Sequence, residues 1–166
     1  MMMITRRLFL KGGVAVLLAQ LLPRIGFGAE PKMKNDMIVK IHRSKDAWKK
    51  LLPAEAFRVL REESTEPPHT SPFLKNRQKG LYVCAGCDLP LFMSETKYES
   101  GTGWPSFYAA ITDHVETKRD FLLFLPRTEY HCARCEGHQG HVFNDGPRPT
   151  GKRYCNNGVA LKFIPE

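Results

Sequence analysis

The sequence predicts a mainly β domain, preceded by short N-terminal helices and held together by a cluster of four cysteines. Short runs rich in Tyr, Val, Phe and Leu, separated by Gly, Pro and Asn, are typical of strands. One stretch near residue 50 has helical periodicity instead. Four of the five cysteines form two CxxC pairs. Two such turns supply a tetrahedral set of thiolates, which predicts a structural zinc site.

The first 28 residues form a predicted export signal that lies outside the domain. Its charged start, TRRLFLKGG, precedes the short apolar run GGVAVLLAQLL. The residues that resemble a twin-arginine signal are Thr5, Arg6, Arg7, Phe9, Leu10 and Lys11. The uncharged stretch from Gly12 to Pro23 is shorter than the roughly 20 residues that span a bilayer, and Gly26, Gly28 and Ala29 suit cleavage. We therefore predict a periplasmic or other extracytoplasmic location, with a membrane tether if the signal stays uncleaved.

The remaining chain divides into a polar linker, residues 29–43, and one domain, residues 44–166. A chain of 166 residues that is 42% hydrophobic can form one domain with a substantial hydrophobic core, but it is too short for two such domains. The signal carries four basic residues and no acidic one, so the net charge falls from +8 to +4 after its removal. The remaining basic residues are interleaved with acidic ones, which argues against a nucleic-acid partner. We expect a monomer.

Two helices are predicted at the start of the domain. Ser44 is a suitable N-cap before Trp48, and Pro53 ends that helix. A second helix then carries Phe57 and Leu60, and we expect its aromatic side chain and Trp48 to pack in the core. After the proline-broken loop TEPPHTSPF come the predicted strands, GLYVC, FLLFLP, EYHC, HVFND and VALKFIP.

The two CxxC pairs, Cys84 with Cys87 and Cys132 with Cys135, are the predicted zinc ligands. The 44 residues between the pairs exceed the usual zinc-ribbon spacing, so the site would join distant parts of one domain. A redox CxxC and a pair of structural disulfides are the alternatives. A CxxC disulfide closes too small a loop to stabilise much. Four closed thiolate ligands leave no open position, so the metal would be structural.

Cys155 is the unpaired cysteine and a candidate nucleophile. Lys152 and Arg153 precede it, and the hydrogen-bonding residues Asn156 and Asn157 follow it. Neighbouring positive charge favours the reactive thiolate. The alternative is a small buried apolar residue, although a free thiol in an oxidising compartment is a hazard unless it has a use.

Two histidines and one tryptophan are further candidates for the site. His138 and His141 lie in the glycine-bounded segment GHQGHVFNDGP, and either could relay a proton near neutral pH. Trp104 lies in the rigid turn SGTGWPSF, where it could form an apolar wall for a small group. Each of these residues could instead have only a surface or core role.

Several segments resemble one known family in order and spacing: CAGCDLPLF, KYESGTGWPSF, CARCEGHQGHVFNDGPRPTGKRYCNNGVALKF and the earlier FRVLREESTEPP. They are similar to peptide methionine sulfoxide reductases of the B type over about residues 45 to 164. The resemblance implies two antiparallel sheets, Cys155 as nucleophile and the four paired cysteines as zinc ligands away from the active site. It also implies that the substrate-site groups are Trp104, His138, His141, Arg153 and Asn157.

The resemblance implies reduction of the R sulfoxide of methionine, free or in oxidised proteins and peptides. The Cys155 thiolate would attack the sulfoxide sulfur while His141 or His138 supplies a proton to the oxygen. Trp104 would hold the S-methyl group. Cys155 would be left as a sulfenic acid, which an external reductant, thioredoxin-like or a low-molecular-weight thiol, must reduce.

This chain departs from the family at three positions. Many members carry a resolving cysteine where Thr102 stands, so an internal disulfide step is in doubt. Serine is common in place of Gly158, and an apolar residue in place of Asn156. Two rival interpretations remain open: a zinc-containing binding module in which Cys155 is inert, and a disulfide-exchange protein that uses both CxxC pairs.

Overall fold

The computed structural model describes residues 37–120 and 126–166, so the predicted signal and most of the predicted linker lie outside the described residues. The predicted strand FLLFLP also falls outside them, except for Pro126. Within the described ranges the helices are α1 (Lys45–Leu51) and α2 (Ala54–Glu62). The strands there are β1 (Gly80–Cys84), β2 (Pro90–Met93), β3 (Lys97–Tyr98), β4 (Ser106–Phe107), β5 (Val115–Asp120), β6 (Arg127–Cys132), β7 (His138–Phe143), β8 (Arg153–Asn156) and β9 (Leu161–Pro165). None of the helices in these two ranges has the length and apolar character that a bilayer crossing requires.

The two helices form where the sequence predicts them. The Ser44 side chain accepts a hydrogen bond from the Ala47 N–H at 3.2 Å, which confirms the N-cap of α1. Trp48 and Phe57 are both buried, as expected. Helix α2 packs against β7 and against the 3-10 turn Gly158–Ala160, which brings the end of α2 close to the segment that follows Cys155.

The strands form two antiparallel sheets, which confirms the predicted fold class. The smaller sheet has the order β2-β1-β9, and the larger has the order β3-β4-β8-β7-β6-β5. Aromatic rings connect the sheets: Tyr82 of β1 meets Phe107 of β4 with centroids 5.0 Å apart, and Phe92 of β2 stacks on Phe107 at 4.2 Å. This apolar contact covers one face of the larger sheet.

The other face of the larger sheet carries a row of polar side chains. In the strand register Ser106 pairs with Cys155, Cys155 with His141, His141 with Glu129, and Glu129 with Lys118. Directly paired residues point to the same face of a sheet, while their chain neighbours point to the opposite face. Residues from five strands therefore meet along one line, with His141 at its centre and Cys155 next to it.

Candidate active site and metal centre

The four paired cysteines converge at the edge between the two sheets. Cys84 ends β1 and Cys132 ends β6, and each is followed by a turn that carries its partner. The Sγ atoms of Cys84 and Cys135 are 3.6 Å apart, those of Cys87 and Cys132 are 3.5 Å apart, and all four lie within 4.8 Å of one another. Zn–S bonds of about 2.3 Å in a tetrahedron place sulfurs about 3.8 Å apart. The cluster could therefore hold a metal ion, and its cysteines form no disulfide.

The surroundings of the cluster suit a negatively charged set of sulfurs. The Gln139 side-chain amide and the Gly86 N–H each donate to Cys84 Sγ at 3.4 Å. Arg61 Nη1 donates to the Cys135 carbonyl at 2.7 Å, which fixes its positive charge beside the cluster. Hydrogen bonding with Cys132, ahead of the other thiols and burial, raises the pKa of Cys84 well above its usual range. A soft cation bound to the four sulfurs would replace the protons that the thiols share and would stabilise the thiolates. The residues therefore fit zinc.

Cys155 lies apart from the cluster, half-buried on β8. Burial raises the pKa of its thiol above the ordinary value, and the Arg153 charge opposes that rise. Lys152 instead donates to the Asn144 side chain at 2.6 Å. The Arg153 charge favours the thiolate, as the sequence predicts, but burial outweighs it and the net pKa is raised.

Arg153 is held rigidly beside Cys155. Its Nε and Nη2 atoms donate to the two carboxylate oxygens of Asp145 at 2.9 and 2.8 Å, and its guanidinium lies 4.3 Å from the centre of the Phe143 ring. A bidentate pair combined with stacking leaves the planar group little freedom. The positive charge therefore stays near the thiol.

His141, the strand partner of Cys155, is oriented by a carboxylate. Its Nε2 lies 2.8 Å from Asp120 Oδ2, which Arg127 also contacts at 2.7 Å. An ionised carboxylate only accepts hydrogen bonds, so Nε2 of His141 carries the proton and Nδ1 is left as an acceptor. Burial lowers the pKa of His141. The ring is consequently neutral near pH 7 in this resting arrangement.

His138 belongs to a second buried network on the same face. Its Nδ1 lies 2.8 Å from Glu129 Oε1, and Lys118 bridges Glu129 and Glu63 at 2.8 and 2.6 Å. Burial lowers the pKa of His138 to about 4. The His138 Nε2 atom is buried and has no hydrogen-bond partner among the described residues. The rings of His138 and His141 are in edge contact, with centroids 5.5 Å apart.

Glu66 connects Trp104 to the segment that follows Cys155. Trp104 Nε1 donates to the Glu66 carbonyl at 3.0 Å, and the Glu66 N–H donates to Asn157 Oδ1 at 3.0 Å. The Glu66 carboxylate accepts the N–H groups of Gly158 and Val159 at 2.6 and 3.0 Å. Asn157 Nδ2 is bound to the Gln139 carbonyl. Both the oxygen and the nitrogen of the Asn157 side-chain amide are therefore engaged by neighbouring backbone groups.

The two departures after Cys155 have structural reasons. Asn156 points to the buried face, where it accepts from the Tyr130 hydroxyl at 2.5 Å and donates to the Asn157 carbonyl at 2.8 Å. Its polarity therefore does not enter the face that carries Cys155. At Gly158 an added Cβ would lie 1.9 Å from Ser71 Oγ, so Ser71 excludes any side chain there.

The structure brings Cys155, His141, His138 and Arg153 to one sheet face and ties Trp104 to Asn157. Three acidic residues that organise these groups, Glu66, Asp120 and Glu129, were not singled out from the sequence. Their roles depend on which strands pair and in which register. The proximity of Asp120 and Glu129 to the two histidines can be recognised only when β5 and β6 are aligned with β7.

The chain is similar in sequence to several known proteins and to one family model. The family model described as "SelR domain" matches residues 52–165. The chain is 52% identical over 131 residues to a peptide methionine sulfoxide reductase MsrB of Leptospira interrogans, covering 78% of this chain and 100% of that protein. It is 51% identical over 127 residues to a protein of the same name from Methanosarcina barkeri, covering 76% of this chain and 89% of that protein. It is also 51% identical over 134 residues to the mitochondrial methionine-R-sulfoxide reductase B2 of Rattus norvegicus, covering 76% of this chain and 77% of that protein.

Proposed function

The chain belongs to the SelR family, and we infer that it is a methionine-R-sulfoxide reductase that uses Cys155 as its nucleophile. One observation carries this assignment. Four of the five cysteines are gathered in one cluster, and the fifth lies opposite a carboxylate-oriented histidine on a polar sheet face. A binding module with an inert cysteine does not require that arrangement.

We propose that His141 takes the proton of Cys155 when the sulfoxide binds. The raised pKa of Cys155 keeps it largely a thiol near pH 7. The unprotonated Nδ1 of His141 can accept its proton, and Asp120 then stabilises the imidazolium, as in other nucleophile–base pairs. The thiolate attacks the sulfoxide sulfur and the imidazolium returns the proton to the sulfoxide oxygen. The hydroxyl group then moves from the methionine sulfur to Cys155 Sγ while the newly formed S–S bond breaks and its electron pair stays on methionine, so Cys155 is left as a sulfenic acid.

Substrate positioning is assigned to Trp104, with Arg153 and His138 lining the polar side of the site. Trp104 is fixed through its indole N–H on the Glu66 carbonyl, so its ring can serve as a rigid wall for the S-methyl group. The buried, unpartnered Nε2 of His138 can accept a hydrogen bond from a water that serves the sulfoxide oxygen.

The metal in this proposal is one structural zinc ion held by Cys84, Cys87, Cys132 and Cys135. It supplies folding free energy and takes no part in the reaction, because four thiolates fill its coordination sphere. Metal analysis of the purified protein tests this point, with one zinc per chain as the expected result.

The activity is tested by turnover of the separated R and S epimers of methionine sulfoxide with a dithiol reductant. We expect reduction of the R epimer alone, both in a peptide and as the free amino acid. Absence of turnover with both epimers, in protein that contains zinc, would leave the binding-module interpretation. Two labile disulfides without metal would favour disulfide exchange.

We propose that an external thiol regenerates Cys155 directly. The chain has no sixth cysteine, and opening a filled four-thiolate site in every cycle would forfeit much of the metal's binding energy. Mass spectrometry after one turnover without reductant should find Cys155 heavier by one oxygen and no internal disulfide. A wild-type disulfide between Cys155 and a cluster cysteine, formed at the rate of turnover, would contradict the proposal.

We propose that the protein is exported across the membrane by the twin-arginine route. The support is the motif that contains Arg6 and Arg7 and the short apolar run after it. The double variant Arg6→Lys, Arg7→Lys should remain in the cytoplasm, folded and with zinc bound. Continued delivery of that variant to the extracytoplasmic fraction would indicate another route.

A further inference from the structure

The first part of the connection between α2 and β1, residues 64–71, contacts the loop between β3 and β4 at two points. The Glu66 carbonyl accepts a hydrogen bond from Trp104 Nε1 at 3.0 Å, and the His69 N–H donates to the Gly103 carbonyl at 2.7 Å. The two backbones lie so close that a Cβ added at Gly103 would be 2.9 Å from His69 Nε2. This connecting segment therefore sets the position of the loop that carries Trp104.

The Glu66 side chain attaches the same segment to the residues that follow Cys155. Its two carboxylate oxygens accept the N–H groups of Gly158 and Val159 at 2.6 and 3.0 Å, and the Glu66 N–H donates to Asn157 Oδ1 at 3.0 Å. Among side chains of this length, only an ionised carboxylate accepts at both terminal atoms, because a side-chain amide has one donor end. Glutamate is thus the residue that fits both N–H groups.

The burial of this carboxylate is energetically unfavourable. Only 6% of Glu66 is exposed, and burial raises the pKa of its carboxyl group. The groups that oppose this rise are the N–H groups of Gly158 and Val159 rather than a cation. An apolar side chain would fill the same space without a desolvation cost, so the two hydrogen bonds are what a carboxylate contributes at this position.

Two contacts fix Trp104 relative to Cys155. At the base of the loop, the Asn156 N–H donates to the Pro105 carbonyl at 2.9 Å, which joins the residues that directly follow Cys155 and Trp104. At the far end of the indole ring, Nε1 is held by the Glu66 carbonyl. Trp104 lies in a loop, outside any helix or strand. The orientation of its ring therefore depends on where Glu66 is held.

We propose that Glu66 is a positioning residue that sets the gap between the Trp104 ring and the Cys155 sulfur, and that this gap restricts the alkyl group on the sulfoxide sulfur to methyl. An apolar wall discriminates against one extra methylene only if it cannot move back, and such discrimination is worth about 10- to 200-fold. The restriction to methyl rests on the proposed function, while the immobilisation of Trp104 does not.

The first test compares kcat/KM for the R sulfoxides of methionine and of its S-ethyl analogue, ethionine. Glu66→Gln keeps the size of the side chain but turns one acceptor into a donor that faces an N–H group. We expect the preference for methyl over ethyl to fall about tenfold, the lower end of what one methylene is worth. Glu66→Asp keeps both acceptors on a shorter side chain and should give an intermediate ratio. Zinc content and circular dichroism show that each variant is folded.

Glu95→Gln is the matched control, because Glu95 is exposed in the 3-10 turn Ser94–Thr96. It should keep the wild-type ratio. General destabilisation lowers both rates by the same factor, whereas a displaced wall changes their ratio. An unchanged ratio in Glu66→Gln, whether both rates fall or neither does, would overturn the proposal.

The second test follows Trp104 itself and requires no turnover. The chain has two tryptophans, so Trp48→Phe leaves Trp104 as the single fluorophore. Time-resolved anisotropy should show slow decay only, because the ring turns with the whole domain, and Glu66→Gln in that background should add a fast local component. A fast component already present with Glu66 intact would overturn the proposal, even if no Glu66 variant folds.

The two tests together separate this inference from the proposed function. A fast component that appears only in Glu66→Gln, in a protein that reduces neither epimer, would refute the enzymatic function and the restriction to methyl but keep Glu66 as the anchor of Trp104. Normal turnover of the R epimer of methionine sulfoxide, with an unchanged methyl-to-ethyl ratio in Glu66→Gln, would overturn the inference and keep the function.

Discussion

Cysteine occupies two different environments in this chain. At the metal cluster, four sulfurs lie within 4.8 Å of one another, with N–H donors and an arginine beside them. At the active site, one half-buried sulfur lies between a serine and a histidine on the polar face of the larger sheet. In the first environment the four sulfurs are close enough to be engaged by one metal ion, while in the second a single thiol lies outside the cluster, opposite a histidine.

Hydrogen bonds of Gln139 connect the four-cysteine cluster with the segment that follows Cys155. Its side chain donates to Cys84 Sγ, and its carbonyl accepts both the N–H and the side-chain amide of Asn157. Asn157 lies two residues after Cys155. The comparison therefore teaches that one residue, Gln139, fixes both the four-cysteine cluster and the segment that follows Cys155.

The largest effect is expected when one cluster ligand is removed. Cys132→Ser should abolish zinc binding and prevent accumulation of folded protein, because structural zinc contributes on the order of 10 kcal/mol in small domains. Soluble yield, zinc content and circular dichroism measure the outcome. A folded, active Cys132→Ser protein without metal would break the distinction between the two kinds of cysteine.

The matched change at the other site should have the opposite pattern. Cys155→Ser should abolish sulfoxide reduction while fold and zinc content stay at the wild-type level, since a hydroxyl at its ordinary pKa cannot replace a thiolate. Turnover of the R epimer and metal analysis on the same sample are the measurements. Residual activity near the wild-type rate would exclude Cys155 as the nucleophile.

A smaller loss is expected at the proposed base. His141→Ala should slow reduction by roughly 10² to 10⁴, the usual range for a general acid or base. His42→Ala is the control, because His42 is exposed and distant in the chain from the polar row, and it should keep the wild-type rate. If both variants turned over equally, His141 would have no part in proton transfer.

The smallest effect concerns the buried histidine beside that base. Burial lowers the pKa of His138 to about 4, while the unfolded chain titrates near 6.5. The unfolded state therefore binds more protons in between, and stability is full above that window and falls as the pH decreases toward 4. Between pH 7 and pH 5 the wild type should lose about 2 kcal/mol more than His138→Gln. Urea unfolding at the two pH values measures this, and equal losses would show that His138 is not buried as a neutral ring.

Local patterns in the sequence were sufficient for the helices and for the two thiols within each CxxC pair. Ser44 and Pro53 mark helix boundaries through capping and a missing N–H, which are effects within a few residues. The two CxxC turns present their sulfurs from single bends, so their geometry is also local. The two-sheet architecture came from resemblance to a known family, because strand order is not encoded in any single segment.

The sequence by itself determined which residues can do the chemistry: one cysteine left over from two pairs, two histidines in a glycine-bounded segment and a cation next to the thiol. Only the tertiary structure decided what surrounds Cys155. Burial raises the pKa of its thiol against the Arg153 charge, and the carboxylates that orient the two histidines come from Asp120 and Glu129. These residues lie 35 and 26 positions before the cysteine. Solvation and hydrogen bonding depend on neighbours in space, and strand register brings those neighbours together only when the chain has folded.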